Sequence, residues 1–207
     1  MDALFGGSFD PVHLAHLVIA EAASEALGGA TVWFLPAREQ PFKRAAHGAT
    51  PEQRAAMLEL AAAGNPRLRV ERIELTLPVP SYTVRTLRAL RARERAAGAG
   101  EGGREKGLGG TGGNRFTLLL GADAARDLAA WWEVEALPGL ADVVVFARPG
   151  AEIPRHPLLR RVIPVPLIEL SATDVRARVG RGQSIRYLVP DAVREYIAAQ
   201  GLYRGKG

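Results

Sequence analysis

Two histidines three residues apart close the string Gly6-Gly7-Ser8-Phe9-Asp10-Pro11-Val12-His13-Leu14-Ala15-His16. Imidazoles at that spacing lie on one face of a helical turn and address the same ligand. The glycines ahead of them let backbone N–H groups approach an anion closely, and a helix N-terminus adds unpaired donors and the positive end of its dipole. The chemistry on offer is donation to phosphoryl oxygens. A Gly-Gly after a strand is by itself an ordinary turn, and a single helix histidine usually packs. It is the joint occurrence that points to a phosphate-handling site.

These residues act only if strands and helices hold them in place. Ala3-Leu4-Phe5 reads as a strand running into the glycines, and Leu14 to Leu27 as an alanine-rich amphipathic helix closed by Gly28-Gly29. Thr31–Leu35 is a second strand. Thr50-Pro51-Glu52-Gln53 carries the marks of a helix start, with Thr50 as N-cap and Gln53 closing a capping box, and that helix runs to about Ala63. Leu68–Val70 reads as a strand, and Ser81 as the cap of a helix over Tyr82–Ala96. Phe116–Leu120, Asp142–Phe146 and Arg161–Val165 read as further strands, with closing helices starting near Ser171 or Ala172 and near Pro190.

Strands alternating with helices predict an α/β fold: a Rossmann-like, doubly wound parallel sheet with helices on both faces and a small C-terminal helical portion. In the order 3-2-1-4-5 the ligand crevice lies between strands one and four, at their carboxyl ends. Gly6-Gly7-Ser8 and Gly121-Ala122-Asp123 follow those two strands and are expected to face each other there. Asp123 suits a hydrogen bond to a ribose or an N-cap; Asp10 reads as a cap of the first helix. The runs Gly98–Gly103 and Gly109–Gly113 cannot build a core, so residues of about 97–114 are expected to form a mobile insertion within a single domain spanning 1–207.

Composition narrows the classes. The chain has 207 residues, 47% of them hydrophobic, enough for one sizeable core. Without cysteine there is no disulfide, no thiolate nucleophile and no Cys-ligated zinc. No apolar run is long enough to span a bilayer and no signal-type segment opens the chain, so a cytoplasmic protein with no membrane partner is expected. The formal charge of +5 is carried almost wholly by arginine. Arg85, Arg88, Arg91, Arg93 and Arg95 are spread around one helix and read as solvated surface. No aromatic stacking platform accompanies them, so no nucleic-acid partner is expected.

GGSFDPVHLAHL resembles the (T/H)xGH signature of the nucleotidylyltransferase superfamily, and Ser171-Ala172-Thr173-Asp174-Val175-Arg176 resembles its second signature, ISSTxIR. Within that superfamily the chain is similar to the bacterial nicotinate-nucleotide adenylyltransferases. The distinguishing strings are Ser81-Tyr82-Thr83-Val84, Gly121-Ala122-Asp123 followed by Trp131, and Ser184-Ile185-Arg186-Tyr187-Leu188-Val189-Pro190. Three positions depart from the pattern: Ala15 replaces the glycine of HxGH, Ala172 the second serine of ISST, and Gln40-Pro41-Phe42-Lys43 the usual Pro-Pro-His-Lys.

The resemblance implies transfer of the adenylyl group of ATP to nicotinate mononucleotide, giving deamido-NAD and pyrophosphate. It assigns catalysis to His16, His13 and Lys43, and ATP binding to Gly7, Ser8, His13, His16, Gly121, Asp123, Ser171, Thr173 and Arg176. Acceptor binding falls to Tyr82, Thr83, Trp131, Trp132 and Lys43, with Trp131 stacking on the pyridine ring. Mg²⁺ is expected on the ATP phosphates, with no metal site of the protein's own. Homo-oligomerisation is compatible with all of this. Other acceptors stand as alternatives, nicotinamide mononucleotide, phosphopantetheine or a flavin precursor among them. From a different class, a nucleic-acid-binding protein and an inactive scaffold are the rivals.

Overall fold

The computed structural model describes residues 2–41, 48–98, 115–147, 150–153 and 155–205. The strands are β1 (Ala3–Gly7), β2 (Val32–Pro36), β3 (Leu68–Val70), β4 (Phe116–Gly121), β5 (Ala141–Ala147) and β6 (Leu159–Pro164). They form one six-stranded sheet in the order β3-β2-β1-β4-β5-β6, and every pairing is parallel. The helices are α1 (Leu14–Ala26), α2 (Pro51–Ala62), the short α3 (Ile73–Thr76), α4 (Thr83–Gly98), α5 (Ala122–Arg126), α6 (Ala172–Gly180) and α7 (Asp191–Ala199). The expected doubly wound order holds, and the sixth strand extends it at the β5 edge.

A parallel sheet covered on both faces must be apolar on both, which is why its strands read as unbroken apolar runs. Leu119 and Val144 point into a core packed by α1, α2, α6 and α7, with Met57, Leu58, Val193 and Ile197 among its buried members. Their neighbours Leu118, Leu120, Val143 and Val145 point into the opposite core, under Val84, Leu87 and Leu90 of α4 and Leu137. Each fully buried large apolar side chain of this kind contributes roughly 1.5–3 kcal/mol.

The local signals at the helix ends hold at α2 and past α1, as they do at Ser171 ahead of α6. Thr50 caps α2 in a reciprocal box: the Gln53 amide donates to Thr50 Oγ1 at 3.2 Å and the Thr50 amide to Gln53 Oε1 at 2.9 Å. Past α1, Gly28 and Gly29 both take positive φ, +72° and +82°, and the Gly29 amide returns to the Ser24 carbonyl at 2.8 Å. Three other caps fall elsewhere than expected. Asp10 does not cap α1; the helix starts from His13, whose amide donates to His16 Nδ1 at 3.2 Å. Ser81 does not cap α4, because its Oγ accepts from the Arg38 amide at 3.0 Å and ties down the loop after β2. Asp123 is not an N-cap either: Gly121 holds that position for α5, and Asp123 sits one residue inside it, paired with Arg126 at 2.7 Å.

The arginines of α4 are also more than solvated surface. Arg88 pairs with Glu133 at 2.5 Å, Arg91 donates to the Gly139 carbonyl at 2.9 Å, and Arg93 pairs with the buried Glu71. Arg85 donates to the Pro78 and Pro80 carbonyls at 2.9 and 3.1 Å. The helix is thereby pinned to the loops around it, including the one that carries Tyr82. The Gly-rich insertion lies almost wholly outside the described residues, beyond the end of α4 at Gly98.

Candidate active site

The carboxyl end of β1 divides two cavities. The first, of about 540 Å³, is lined by Gly7, Ser8, His13 and His16 on one side and by Ser171, Thr173 and Arg176 on the other. The second, of about 460 Å³, is lined by Tyr82, Thr83, Asp123, Trp131 and Trp132. Gly6, Gly7 and Gln40 border both, so a ligand group at the glycines is reached from either cavity. This is the crevice between β1 and β4 that the topology dictates.

In the first cavity the two imidazoles are stacked, with centroids 3.7 Å apart and 26° between planes. Because His16 Nδ1 accepts the His13 amide, the proton of neutral His16 resides on Nε2. The His16 ring is set edge-on against Phe9 at 5.0 Å. A Cβ on residue 7 would come within 2.9 Å of the Phe9 ring, so only glycine allows Phe9 that position. His13 is buried, and burial lowers its pKa to about 4 against the opposing pull of the Asp174 carboxylate. It is therefore neutral at pH 7. His13 Nδ1 and Ser8 Oγ are both buried and have no hydrogen-bond partner among the described residues. Both residues line the first cavity, and buried polar atoms without partners there suit a ligand whose binding shifts the side chains enough to satisfy them.

Across the cavity, α6 presents its N-terminus. Ser171 Oγ accepts the Asp174 amide at 3.1 Å and donates to Asp174 Oδ2 at 2.5 Å. Its one proton is thus committed to the cap, which leaves the backbone and Thr173 as donors at this helix end. Arg176 donates to Thr173 Oγ1 at 3.2 Å and to the Asp10 carbonyl at 2.6 Å, joining the two motifs across the whole chain.

The second cavity has an aromatic wall. Tyr82 and Trp132 stack at 4.9 Å and 23°, and the Arg85 guanidinium lies 5.2 and 5.4 Å from their centroids. The Trp132 ring forms part of that wall, and 39% of the residue is exposed. Trp131 packs half-buried against the α4-side core. Asp123, expected with ATP, borders this second cavity, and Gly121 borders neither, lying under the Phe146 ring. Lys43 lies outside the described residues.

A sequence profile of the family described as cytidylyltransferase-like matches residues 4–178. The chain belongs to this family. Within it, the chain is 42% identical over 210 residues to a protein of Roseiflexus castenholzii named probable nicotinate-nucleotide adenylyltransferase, covering 97% of this chain and 96% of the relative. It is also 42% identical over 201 residues to the protein of that name from Thermus thermophilus, covering 97% and 98%. Among solved structures, a Plasmodium falciparum nicotinic acid mononucleotide adenylyltransferase complexed with NaAD superposes with a TM-score of 0.69. That match is 17% identical, covers 97% of this chain and 96% of the other, and shows a shared fold.

Within this cytidylyltransferase-like fold, two residues at the site escaped the sequence reading. Arg54 is fully buried on α2 and donates to the Ser8 carbonyl at 2.6 Å and the Arg38 carbonyl at 3.1 Å, bracing the glycine loop from below. Burial lowers its pKa, with Asp10 the strongest opposing charge. Its place in the stripe with Met57 and Leu58 was the available clue. Glu74 borders the second cavity with its carboxyl buried, accepting from Thr86 Oγ1 at 2.9 Å; burial raises its pKa. Nothing in the sequence around Glu74 distinguishes it from an exposed glutamate.

Proposed function

We infer that this nucleotidyltransferase joins ATP to nicotinate mononucleotide, releasing pyrophosphate and forming deamido-NAD, a step of NAD biosynthesis. The observation that carries the reading is the meeting of the two cavities at Gly6 and Gly7, one lined by the paired histidines and the other by an aromatic wall. A triphosphate in the first and a pyridine mononucleotide in the second would bring their phosphates together at the glycines.

The mononucleotide's phosphate has its second pKa near about 6 and is largely dianionic at neutral pH. One of its oxygens attacks the α-phosphorus in line; a new P–O bond forms as the bond to the β-phosphate oxygen breaks and pyrophosphate departs. No proton has to be removed from the nucleophile, so the site needs donors and no general base. Positioning and charge stabilisation then supply the rate. His16 Nε2–H donates to the phosphoryl oxygens, His13 and Ser8 satisfy their orphaned atoms on phosphate, and Thr173, Arg176 and the α6 N-terminus take the distal phosphates. Lys43 adds a point charge. Gly121 and Asp123, by the family resemblance, complete the nucleotide side; the position of Asp123 in the second cavity also suits a ribose of the acceptor.

Among the described residues there is no group of three or more His, Asp or Glu that would hold a metal ion. By the family resemblance, Mg²⁺ would enter on the triphosphate and supply charge neutralisation there. Trp131 and Tyr82 would flank the pyridine ring, with Thr83 and the Trp132 backbone toward its carboxylate. Among the described residues no helix is long and apolar enough to cross a membrane. The reading places the enzyme in the cytoplasm, working as one domain on small-molecule substrates.

Turnover with ATP and a panel of acceptors tests this. Pyrophosphate release with nicotinate mononucleotide, at a kcat/KM well above that with nicotinamide mononucleotide, is the expected result. Product from phosphopantetheine and none from the pyridine nucleotides would overturn the acceptor.

A further inference from the structure

Beyond α7 lies a tyrosine that the adenylyl-transfer scheme does not use. Gly201 reverses the backbone at φ +61°, Leu202 is buried, and Tyr203 also takes φ +61°. Such a conformation is rare for a bulky residue and persists where surrounding contacts demand it. Here it delivers the Tyr203 hydroxyl to Asp10 Oδ1 at 2.7 Å. The ring lies so close over Gly48 that a Cβ there would come within 2.6 Å of it.

Asp10 is a junction. Its carboxylate also accepts the Gly48 amide at 2.8 Å and the Ala49 amide at 3.2 Å, the residues leading into the Thr50 cap of α2. Its carbonyl accepts Arg176, the residue that joins the first motif to the second. Asp10 itself sits between Ser8 and His13, in the loop whose residues line the first cavity. The tyrosine therefore bears, through the one residue Asp10, on both halves of the phosphate grip: its carboxylate takes the hydroxyl and its carbonyl takes Arg176. Burial and the neighbouring Asp10 raise its pKa well above the ordinary tyrosine value, so the hydroxyl keeps its proton at every working pH.

We propose that Tyr203 is a positioning residue for the triphosphate site: its hydroxyl on Asp10 fixes the loop between Ser8 and His13 against Arg176, and so sets the spacing of the grip. This rests on the nucleotide reading above and concerns the ATP side alone.

The test is Tyr203→Phe, which keeps the ring over Gly48 and removes one hydrogen bond. Isothermal titration with Mg²⁺ and a non-hydrolysable ATP analogue should show about five- to tenfold weaker binding, the loss expected from one such bond. KM for ATP should rise by a similar factor while KM for nicotinate mononucleotide stays put. Tyr196→Phe, on the same C-terminal segment, should leave both unchanged. Linkage is reciprocal, so in the unaltered protein the analogue should slow hydrogen exchange at the Gly48 and Ala49 amides.

Unchanged analogue binding in Tyr203→Phe, equal weakening of both substrates, a Tyr196→Phe loss of the same size, or unaltered exchange at Gly48 and Ala49 would each overturn the proposal. A protein that binds the analogue but does not convert nicotinate mononucleotide would overturn the acceptor reading and leave this one standing. A protein that binds no analogue overturns both.

Discussion

His16 and His13 are chemically identical and do different work because of what surrounds them. His16 spends Nδ1 on the backbone, which puts the proton of its neutral ring on Nε2; on the proposed mechanism its loss removes a transition-state contact, at the cost of one edge-on packing contact with Phe9. His16→Ala should lower kcat about a hundredfold or more, with an unchanged circular dichroism spectrum; near-normal turnover would take His16 out of the mechanism. His13 is buried neutral with its pKa lowered to about 4. The unfolded chain, with an ordinary imidazole, binds more protons than the folded one between about pH 6.5 and 4. The stability that a neutral His13 permits is thus present above about pH 6.5 and lost as pH falls toward 4, by up to about 3 kcal/mol. Urea unfolding should show that decline in the unaltered protein and a flatter profile in His13→Gln. The histidine spacing was legible because both residues act locally. Arg54 and Tyr203 were not, since each finds its partners only after distant segments pack.

Elements whose signals are local were readable, and those that borrow partners were not. The Thr50-Pro51-Glu52-Gln53 box starts α2 as its residue types require. Asp10, Ser81 and Asp123 are equally good cap formers, yet each oxygen serves another group: two loop amides and a tyrosine, the Arg38 amide, and Arg126. A short acidic or hydroxyl side chain offers an acceptor to whichever donor folding brings near, and sequence does not reveal which. Ser171 is a cap whose local box did form, and Ser171→Ala should lower stability by about 1 kcal/mol, read as a drop in the urea midpoint. The α4–β4 connection obeys another rule. α4 is fixed at several points by its arginines and β4 by its strand neighbours, so their placement does not depend on what joins them. Replacing residues 99–113 with a Gly-Ser linker of about six residues should shift stability by less than about 1 kcal/mol, because closure entropy varies only logarithmically with length. A collapse of the thermal transition would show that this segment packs.

At the scale of the whole molecule, the first cavity is built largely from two segments far apart in the chain: Gly7 to His16 at the start of α1 and Ser171 to Arg176 at the start of α6. The strand order that unites them was readable because alternating strands and helices admit few right-handed solutions. Which cavity each residue would border was not, as Asp123 beside Tyr82 and Trp132 in the second cavity shows. A ligand held by both segments favours the folded chain over any state in which they separate. A non-hydrolysable ATP analogue with Mg²⁺ at about a hundred times its Kd should therefore stabilise the protein by about 2.7 kcal/mol, raising Tm by roughly 5–11 °C for a chain of this size. Thr173→Ala with Arg176→Ala should abolish most of that rise, since the remaining donors nearly all sit on one segment. A single-stranded oligonucleotide distinguishes this from binding by surface arginine: an arginine-driven partner would give a rise that fades steeply between about 50 and 200 mM salt. With most of the α4 arginines already paired to loops and carboxylates, the oligonucleotide should give none at either salt. An analogue shift that survived loss of both α6 side chains would place the triphosphate outside the cavity between the two motifs.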